Sequence, residues 1–383
     1  MGVTHDLVVL GLGGMGSAAL ARAALRGRRV LGIEQFARGH ELGSSCGRSR
    51  IIRKAYFEDP AYVPLLLRAY ELWRDLETRT GATLLDLIGV LMVGNAQSTI
   101  LANVESTARA YGLALEQLDG PEIARRFSGT RPRPGERAVL ERDAGVVFPE
   151  AAIGAHLSLA ERNGADLRFE TRVAGYDPLP DGIRVRLADG ETLQTARLAV
   201  CAGPWLAALA AELLLPLRVQ RNVQLWFWPS TPAFGAGRFP AFFVDRPDWP
   251  APLYGFPDYG DGVKAALHAY GESTVPAELD RSIRAADIAT VADLLAGWMP
   301  EAAGAYAGGR ACMYTLTPDE HFIIDRHPAD PRIVLAGGFS GHGYKFCSVV
   351  GEIVTELAFD GGTRHPIAFL SLHRFARGHA SRK

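Results

Sequence analysis

An α/β chain of two domains (α+β in overall make-up) is what the sequence predicts, one built on a discontinuous parallel sheet and the other on an antiparallel sheet. Three observations carry this. The N-terminus reads strand, glycine turn, helix, strand; residues 216–309 change to short aromatic strands separated by Pro and Gly; and an α/β pattern returns after them. At 383 residues the chain also exceeds the size at which a single core usually stops growing.

The first segment, "DLVVLGLGGMGSAALARAALRGRRVLGIEQF", opens with Leu7–Leu10, a continuous apolar run suited to a parallel strand buried on both faces. Gly11, Gly13 and Gly16 follow in G-x-G-x-x-G spacing, then helix formers from Ala18 to Leu25, then a second strand, Val30 to Ile33, ending at Glu34. The first two glycines permit a tight turn and close approach of a pyrophosphate to backbone N–H groups at a helix N-terminus. A carboxylate ending the second strand accepts hydrogen bonds from an adenosine ribose. Strand, turn, helix, strand and acid together predict a Rossmann-like dinucleotide-binding domain.

Residues 61–78 have the apolar spacing of an amphipathic helix. "DLIGVLMVG" reads as a strand, and "STILANVESTARAYGL" and "DGPEIARRF" as short helices, the second capped by Asp119 with Pro121 in its first turn. A helix is expected from Glu150 to about Arg162, then strands near 167–169, 183–187 and 193–200, with an Asp-Gly turn between the last two. "HFIID", "RIVLAGGFSGHG" and a helix from about Tyr344 complete the chain. The expected division is a nucleotide-binding domain of residues 1–85, 145–215 and 310–383, with a substrate domain of 86–144 and 216–309.

Composition excludes several classes. Apolar residues make up 48% and charged ones 22%, and 41 basic side chains balance 42 acidic ones, so no basic surface for nucleic acid is indicated. The four cysteines, Cys46, Cys201, Cys312 and Cys347, have neither disulfide-framework nor zinc spacing, which fits a reducing compartment and no metal. No apolar stretch reaches membrane-span length, Asp6 and the lack of basic residues before it argue against a signal peptide, and the terminal "ASRK" is not a peroxisomal address. A cytoplasmic location is expected.

The markers "GLGGMG", "RIIRKAY", "YVPLLLRAYELW", "YGFP", "ACMYTLTPDEHFIID" and "GFSGHGYKF", in this order, resemble the monomeric sarcosine oxidase and N-methyltryptophan oxidase family of FAD-dependent amine oxidases. By its residues alone Cys312 reads as a small buried hydrophobe. The resemblance instead implies an FAD joined through the Cys312 sulfur to the 8α-methyl of its ring. It implies further cofactor contacts at Gly11, Gly13, Gly16, Glu34, Val173 and Gly341.

The same resemblance assigns Arg53 and Lys345 to clamp a substrate carboxylate, chemistry suited to a guanidinium fork and an ammonium. It sets Arg50 against the flavin and Lys264 beside it as the group that assists O2 reduction. His268 lies on the same strand face as Lys264 and falls near the substrate, while Tyr254, Tyr314 and Tyr56 line the pocket. Without the resemblance, Lys264 reads as a strand-surface lysine and each tyrosine as core.

Departures stand out in "GSSCGRSR", residues 43–50, where the family carries "GSHHGDTR": Ser45 and Cys46 replace histidines and Arg48 an aspartate. Phe243 stands where a methionine often lines the pocket. The activity implied is oxidation of N-methyl amino acids by O2, yielding formaldehyde, the demethylated amino acid and hydrogen peroxide, by a monomer. Rival readings are oxidation of cyclic secondary amino acids such as proline or pipecolate, a NAD-linked dehydrogenase, and a flavoprotein subunit without turnover of its own.

Overall fold

A computed structural model describes residues 3–376, so the terminal "ASRK" lies outside the described residues. Its six-stranded sheet runs in the order Ile323–His327, Asp330–Gly337, Leu198–Val200, Leu7–Leu10, Val30–Ile33 and Asp166–Arg168. Neighbours are parallel except for the first pair. Sequence-distant segments thus meet in one sheet, the discontinuity expected from the sequence. The helices Gly14–Leu25, Pro149–Arg162 and Cys347–Phe359 cover one face. Glycine sets how closely they pack: a Cβ on Gly351 would lie 2.6 Å from the Ala18 backbone, and one on Gly16 would lie 1.8 Å from the Gly11 carbonyl oxygen.

The second sheet has nine strands and is antiparallel apart from the Ala241–Val244 and Val90–Gly94 pair. Arg218–Phe227 is its longest shared rail. That strand pairs with Val263–Leu267 and Glu272–Thr274 along one edge and Tyr306–Leu316 along the other. Strand alternation sorts the side chains. Phe242, Leu253, Val263 and Ala265 face a core completed by the helix Ala285–Trp298. The opposite face carries Phe243, Tyr254 and Phe256, with Lys264 opposite Phe256 and Trp226 in the strand register. Cys312 and Tyr314 lie opposite Asn222 and Gln220.

Several expectations are corrected here. "DLIGVLMVG" is two strands, Leu85–Asp86 and Val90–Gly94, in different sheets, with Gly89 turning between them at φ +84°. Residues 193–200 are also divided. Thr192–Thr195 closes a hairpin with Gly182–Leu187, while Leu198–Val200 enters the parallel sheet. The Thr195 hydroxyl donates to the carbonyls of His5 and Arg197 at this break. The helix Ala285–Trp298 was unforeseen among strand signals. The boundary expected at 309/310 falls inside the strand Tyr306–Leu316.

A buried ion pair joins the antiparallel sheet to that helix. Arg246 donates through Nε to Glu136 at 2.6 Å and through Nη2 at 3.0 Å, and also donates to the carbonyl of Gly297. Both side chains are almost fully buried. Removing one partner strands the other charge without water. Glu136→Ala is therefore predicted to cost about 3–5 kcal/mol in urea unfolding; a change within experimental error would contradict this.

Candidate active site

The glycine turn lines a cavity of about 620 Å³. Gly11 holds φ +85°, and a Cβ there would lie 2.6 Å from the Cys201 carbonyl oxygen, so backbone alone fills this position. The helix begun by Gly14 has no side-chain hydrogen bond from its N-cap, Gly13, although Gly14 N–H donates to Ser45 Oγ at 3.2 Å. Glu34 lines the cavity and accepts from the Leu12 and Phe36 N–H groups at 2.9 and 3.2 Å. Burial alone would raise its pKa, yet His40 and those amides hold it below the usual carboxylate value.

Val173 and Gly341 also line the cavity, whereas Gly16 serves by close packing behind the turn. The buried Thr315 hydroxyl is on the cavity wall without a hydrogen-bond partner among the described residues. A turn that a Cβ would fill, an amide-rich helix start and an orphaned hydroxyl together fit a dinucleotide.

The loop of residues 43–49 supplies Gly43, Ser44, Ser45 and Cys46 to the wall of the same cavity. Its Gly47 and Arg48 amides donate to Glu150 at 2.7 and 3.0 Å, while its carbonyls face two cations, the half-buried Arg50 and the buried Lys264. Arg50 donates to the carbonyls of Ser44, Cys46 and Ser49. Lys264 Nζ donates to the Gly47 and Ser49 carbonyls at 2.6 and 2.9 Å and has Ser49 Oγ at 3.3 Å. Burial and Arg50 push the Lys264 pKa well down. Opposing this, three oxygens around one nitrogen are satisfied in full by an ammonium, which has three N–H donors. Arg48, the replacement for aspartate, pairs with Asp261 and lies over the Trp226 ring.

Cys312 is fully buried and does not itself line the cavity, though Cys46, Arg50, Met313 and Tyr314 do. Its Sγ is 3.6 Å from the Ser44 carbonyl oxygen and 4.0 Å from an Arg50 nitrogen. The neighbouring Cys46 thiol is the main influence holding the Cys312 thiol below its ordinary pKa, helped by Arg50 and Lys264, while Cys46 Sγ itself is 3.8 Å from the Gly43 carbonyl oxygen. Cys201 and Cys347, by contrast, fill space against Gly11 and Gly14.

Arg50, Tyr314, Gly341 and Tyr344 are shared between the large cavity and a second one of about 60 Å³. The second is lined by Arg53, Lys345, Glu58, His268, Tyr254 and Phe243. Arg53 donates to Glu58 at 2.6 Å and to the Ala55 carbonyl at 2.9 Å, and stacks over the Phe57 and Tyr56 rings. Lys345 Nζ donates to the His342 carbonyl at 2.7 Å. Burial, reinforced by Arg53, lowers its pKa to about 7. Burial works to raise the Glu58 pKa, but Arg53, His342 and Lys345 hold it down to about 2.

The His268 ring is kept neutral at ordinary pH, its pKa lowered to about 4 by burial. Tyr56 lies one layer behind the cavity wall. Its hydroxyl is 2.6 Å from His342 Nδ1 and its ring is under Arg53 and Lys345. Glu58 and His342 escaped the sequence reading, although Glu58 follows Arg53 by only five residues.

A dinucleotide cradle joined to a small cationic chamber, on this pair of sheets, is the architecture of a nucleotide-dependent oxidoreductase. The profile of the FAD dependent oxidoreductase (DAO) family matches residues 6–357, and the chain belongs to that family. It is 42% identical to a monomeric sarcosine oxidase of Streptomyces avermitilis over 98% of this chain and 99% of that one. It is 34% identical to an N-methyl-L-tryptophan oxidase of Yersinia pestis over 97% and 99%. Among solved structures, the fold matches the amino acid oxidase NikD with a TM-score of 0.85, at 23% identity over 96% of this chain and 97% of that one. It also matches an L-proline dehydrogenase from P. horikoshii with a TM-score of 0.86, at 22% identity over 99% of both. Among the described residues no helix is long and apolar enough to cross a membrane.

Burial also holds His156 and His342 neutral, with pKa values near 3 against 6.5 for the free group. Between those values the unfolded chain binds more protons than the folded one, so stability present above pH 6.5 is lost as pH falls toward 3. Glu58 adds a loss of the same sign as pH falls below its free value of 4.5. The urea midpoint is predicted to drop steadily below pH 6.5, with a shallower slope in His156→Gln; a midpoint flat down to pH 4.5 would contradict it.

Proposed function

We propose that the enzyme oxidises small N-methyl amino acids of the sarcosine type with O2. The observation that carries this is the chamber itself: two cations, Arg53 and Lys345, on the wall of a 60 Å³ space that shares Arg50 and Tyr314 with the dinucleotide cavity. The names of the 34–42% identical relatives support the same reading.

In this reading the substrate carboxylate docks on Arg53 and Lys345, taking over part of the role Glu58 now fills for Arg53. Its entry between these cations favours protonated Lys345, countering the loss of charge that burial causes. His268, neutral, offers a ring nitrogen as acceptor for the substrate amine proton, and Tyr254, Tyr314 and Phe243 confine the small side chain. FAD, when bound, supplies a two-electron acceptor that returns its electrons to O2. The net reaction consumes the N-methyl amino acid, O2 and water, and yields the primary amino acid, formaldehyde and hydrogen peroxide. Lys264, charged and fixed beside the loop, favours negative charge developing on oxygen. Cys312 is the proposed tether for the cofactor, and Arg50 and the thiol of Cys46 favour its thiolate. A cytoplasmic monomer completes the proposal.

Oxygen consumption measured across sarcosine, longer N-methyl amino acids, proline and pipecolate tests the substrate class. Sarcosine-like substrates are expected to lead, with formaldehyde and peroxide formed in equal amounts. Faster turnover of proline or pipecolate, with a ring product and no formaldehyde, would overturn it. For the tether, wild-type protein is expected to stay yellow through acid precipitation and Cys312→Ala to lose its colour; a yellow Cys312→Ala precipitate would contradict the assignment.

A further inference from the structure

The buried His342 ring packs against Tyr56, Tyr62 and Phe322, at centroid distances of 5.8, 5.8 and 4.7 Å. Both of its nitrogens are engaged, and their partners fix the tautomer. Nε2 is 3.0 Å from the Glu320 carbonyl oxygen, which can only accept, so Nε2 carries the proton. Nδ1 is therefore a bare acceptor, and the Tyr56 hydroxyl donates to it at 2.6 Å.

That assignment decides what surrounds Lys345. Its Nζ donates to the His342 carbonyl at 2.7 Å and has Tyr56 Oη at 3.5 Å. Because the Tyr56 proton is directed at Nδ1, the phenol oxygen is left with its lone pairs for the ammonium. The same hydroxyl is 3.3 Å from the His342 carbonyl oxygen, so without the ring nitrogen its proton would go there and compete with Lys345. One histidine thus supplies Lys345 with an uncontested carbonyl and, through Tyr56, with a second acceptor. An ammonium has three N–H groups, so one remains for a ligand in the chamber that Lys345 lines. Trp73 Nε1 donates to the Lys345 carbonyl at 2.9 Å and holds the lysine backbone in place.

We propose that His342 is a positioning residue: by fixing the direction of the Tyr56 O–H, it keeps Lys345 charged and the chamber able to hold a carboxylate through neutral pH. Burial and Arg53 bring the Lys345 pKa to about 7, so a change in its hydrogen bonds decides whether it is charged there. Among the described residues, the other charged or titratable groups facing Lys345, Tyr56 and His342 are Arg50, Arg53, Glu58, Tyr62, His268 and Cys347. Glu58 is the anion that offsets the two arginines, and the substitutions below leave it in place. The control of Lys345 by His342 stands on these hydrogen bonds; its consequence for the substrate rests on the proposal that Lys345 clamps a carboxylate.

The chain has four lysines, Lys54, Lys264, Lys345 and Lys383, so NMR of holoenzyme carrying lysine labelled with 13C at Cε follows each ammonium separately. Lys345→Met identifies the Lys345 signal. In the wild type that signal is expected to titrate near pH 7. His342→Phe, an aromatic of similar size among aromatic neighbours, and Tyr56→Phe are each expected to lower the midpoint to about 6. His342→Asn, whose amide oxygen again offers Tyr56 an acceptor, is expected to restore it. A ring that merely filled space would be replaced by phenylalanine without moving the titration, so wild-type midpoints in His342→Phe and Tyr56→Phe overturn the proposal. Acetate binding, followed by flavin absorbance, is expected to weaken about one pH unit earlier in the same two variants. If the lysine midpoints move and acetate binding does not follow, the clamp reading fails and the carboxylate-holding role with it, while the midpoints still decide whether His342 controls the lysine.

Discussion

Four cations gather in one region of the fold, Arg53, Lys264 and Lys345 buried and Arg50 half-buried, and among the described residues only Glu58 comes within ion-pair distance of any of them. Buried charge is costly unless it is paired or hydrogen-bonded. The protein meets that cost mainly with neutral dipoles, the carbonyls of Ser44, Cys46, Gly47, Ser49, Ala55 and His342. The result is a site with positive charge in excess, ready for an anion. That excess, together with burial, lowers the Lys345 pKa to about 7.

The loop of residues 43–49 makes this possible. Its amides turn toward Glu150 and its carbonyls toward Arg50 and Lys264, so opposite charges grip opposite sides of one short segment. Positive φ at Gly47 and Arg48 lets the backbone present both sets of groups. A Cβ on Gly47 would lie 1.9 Å from Gln224 Oε1, so the antiparallel sheet presses on the loop from behind. Lys264 reaches the loop from the strand Val263–Leu267, and Arg50 starts a strand of its own, Arg50–Ile52. The loop thereby ties the antiparallel sheet to the strand Arg50–Ile52, which belongs to a separate three-stranded sheet.

Much of this was legible in the sequence, for identifiable reasons. The glycine turn and Glu34 are a local pattern, written within one strand-helix-strand unit. Arg53, Lys345, Lys264 and His268 come together from widely separated segments, and only the family resemblance made that visible. The helix Ala285–Trp298 was missed although Ile288, Val291, Leu295 and Trp298 follow helical spacing, because the Pro- and Gly-rich strands around it set the expectation. Glu58 was missed because an acid near an arginine reads as a surface pair until the fold buries it. Tyr56 was expected on the pocket wall, but its hydroxyl is engaged by His342 and its ring supports the clamp from behind. The 3.6 Å approach of Cys312 Sγ to the Ser44 carbonyl depends on how a loop meets a strand, which no spacing records.

The central claim is that excess buried positive charge at Arg53 and Lys345 recognises a carboxylate. Perturbation of the flavin absorbance of holoenzyme on titration with acetate and with acetamide, ligands of one shape and different charge, tests it most directly. Acetate is predicted to bind about tenfold tighter or more at pH 6, and to weaken as pH rises past about 7, where Lys345 loses its proton. Equal affinity for acetate and acetamide, or acetate binding indifferent to pH across that range, would contradict the account.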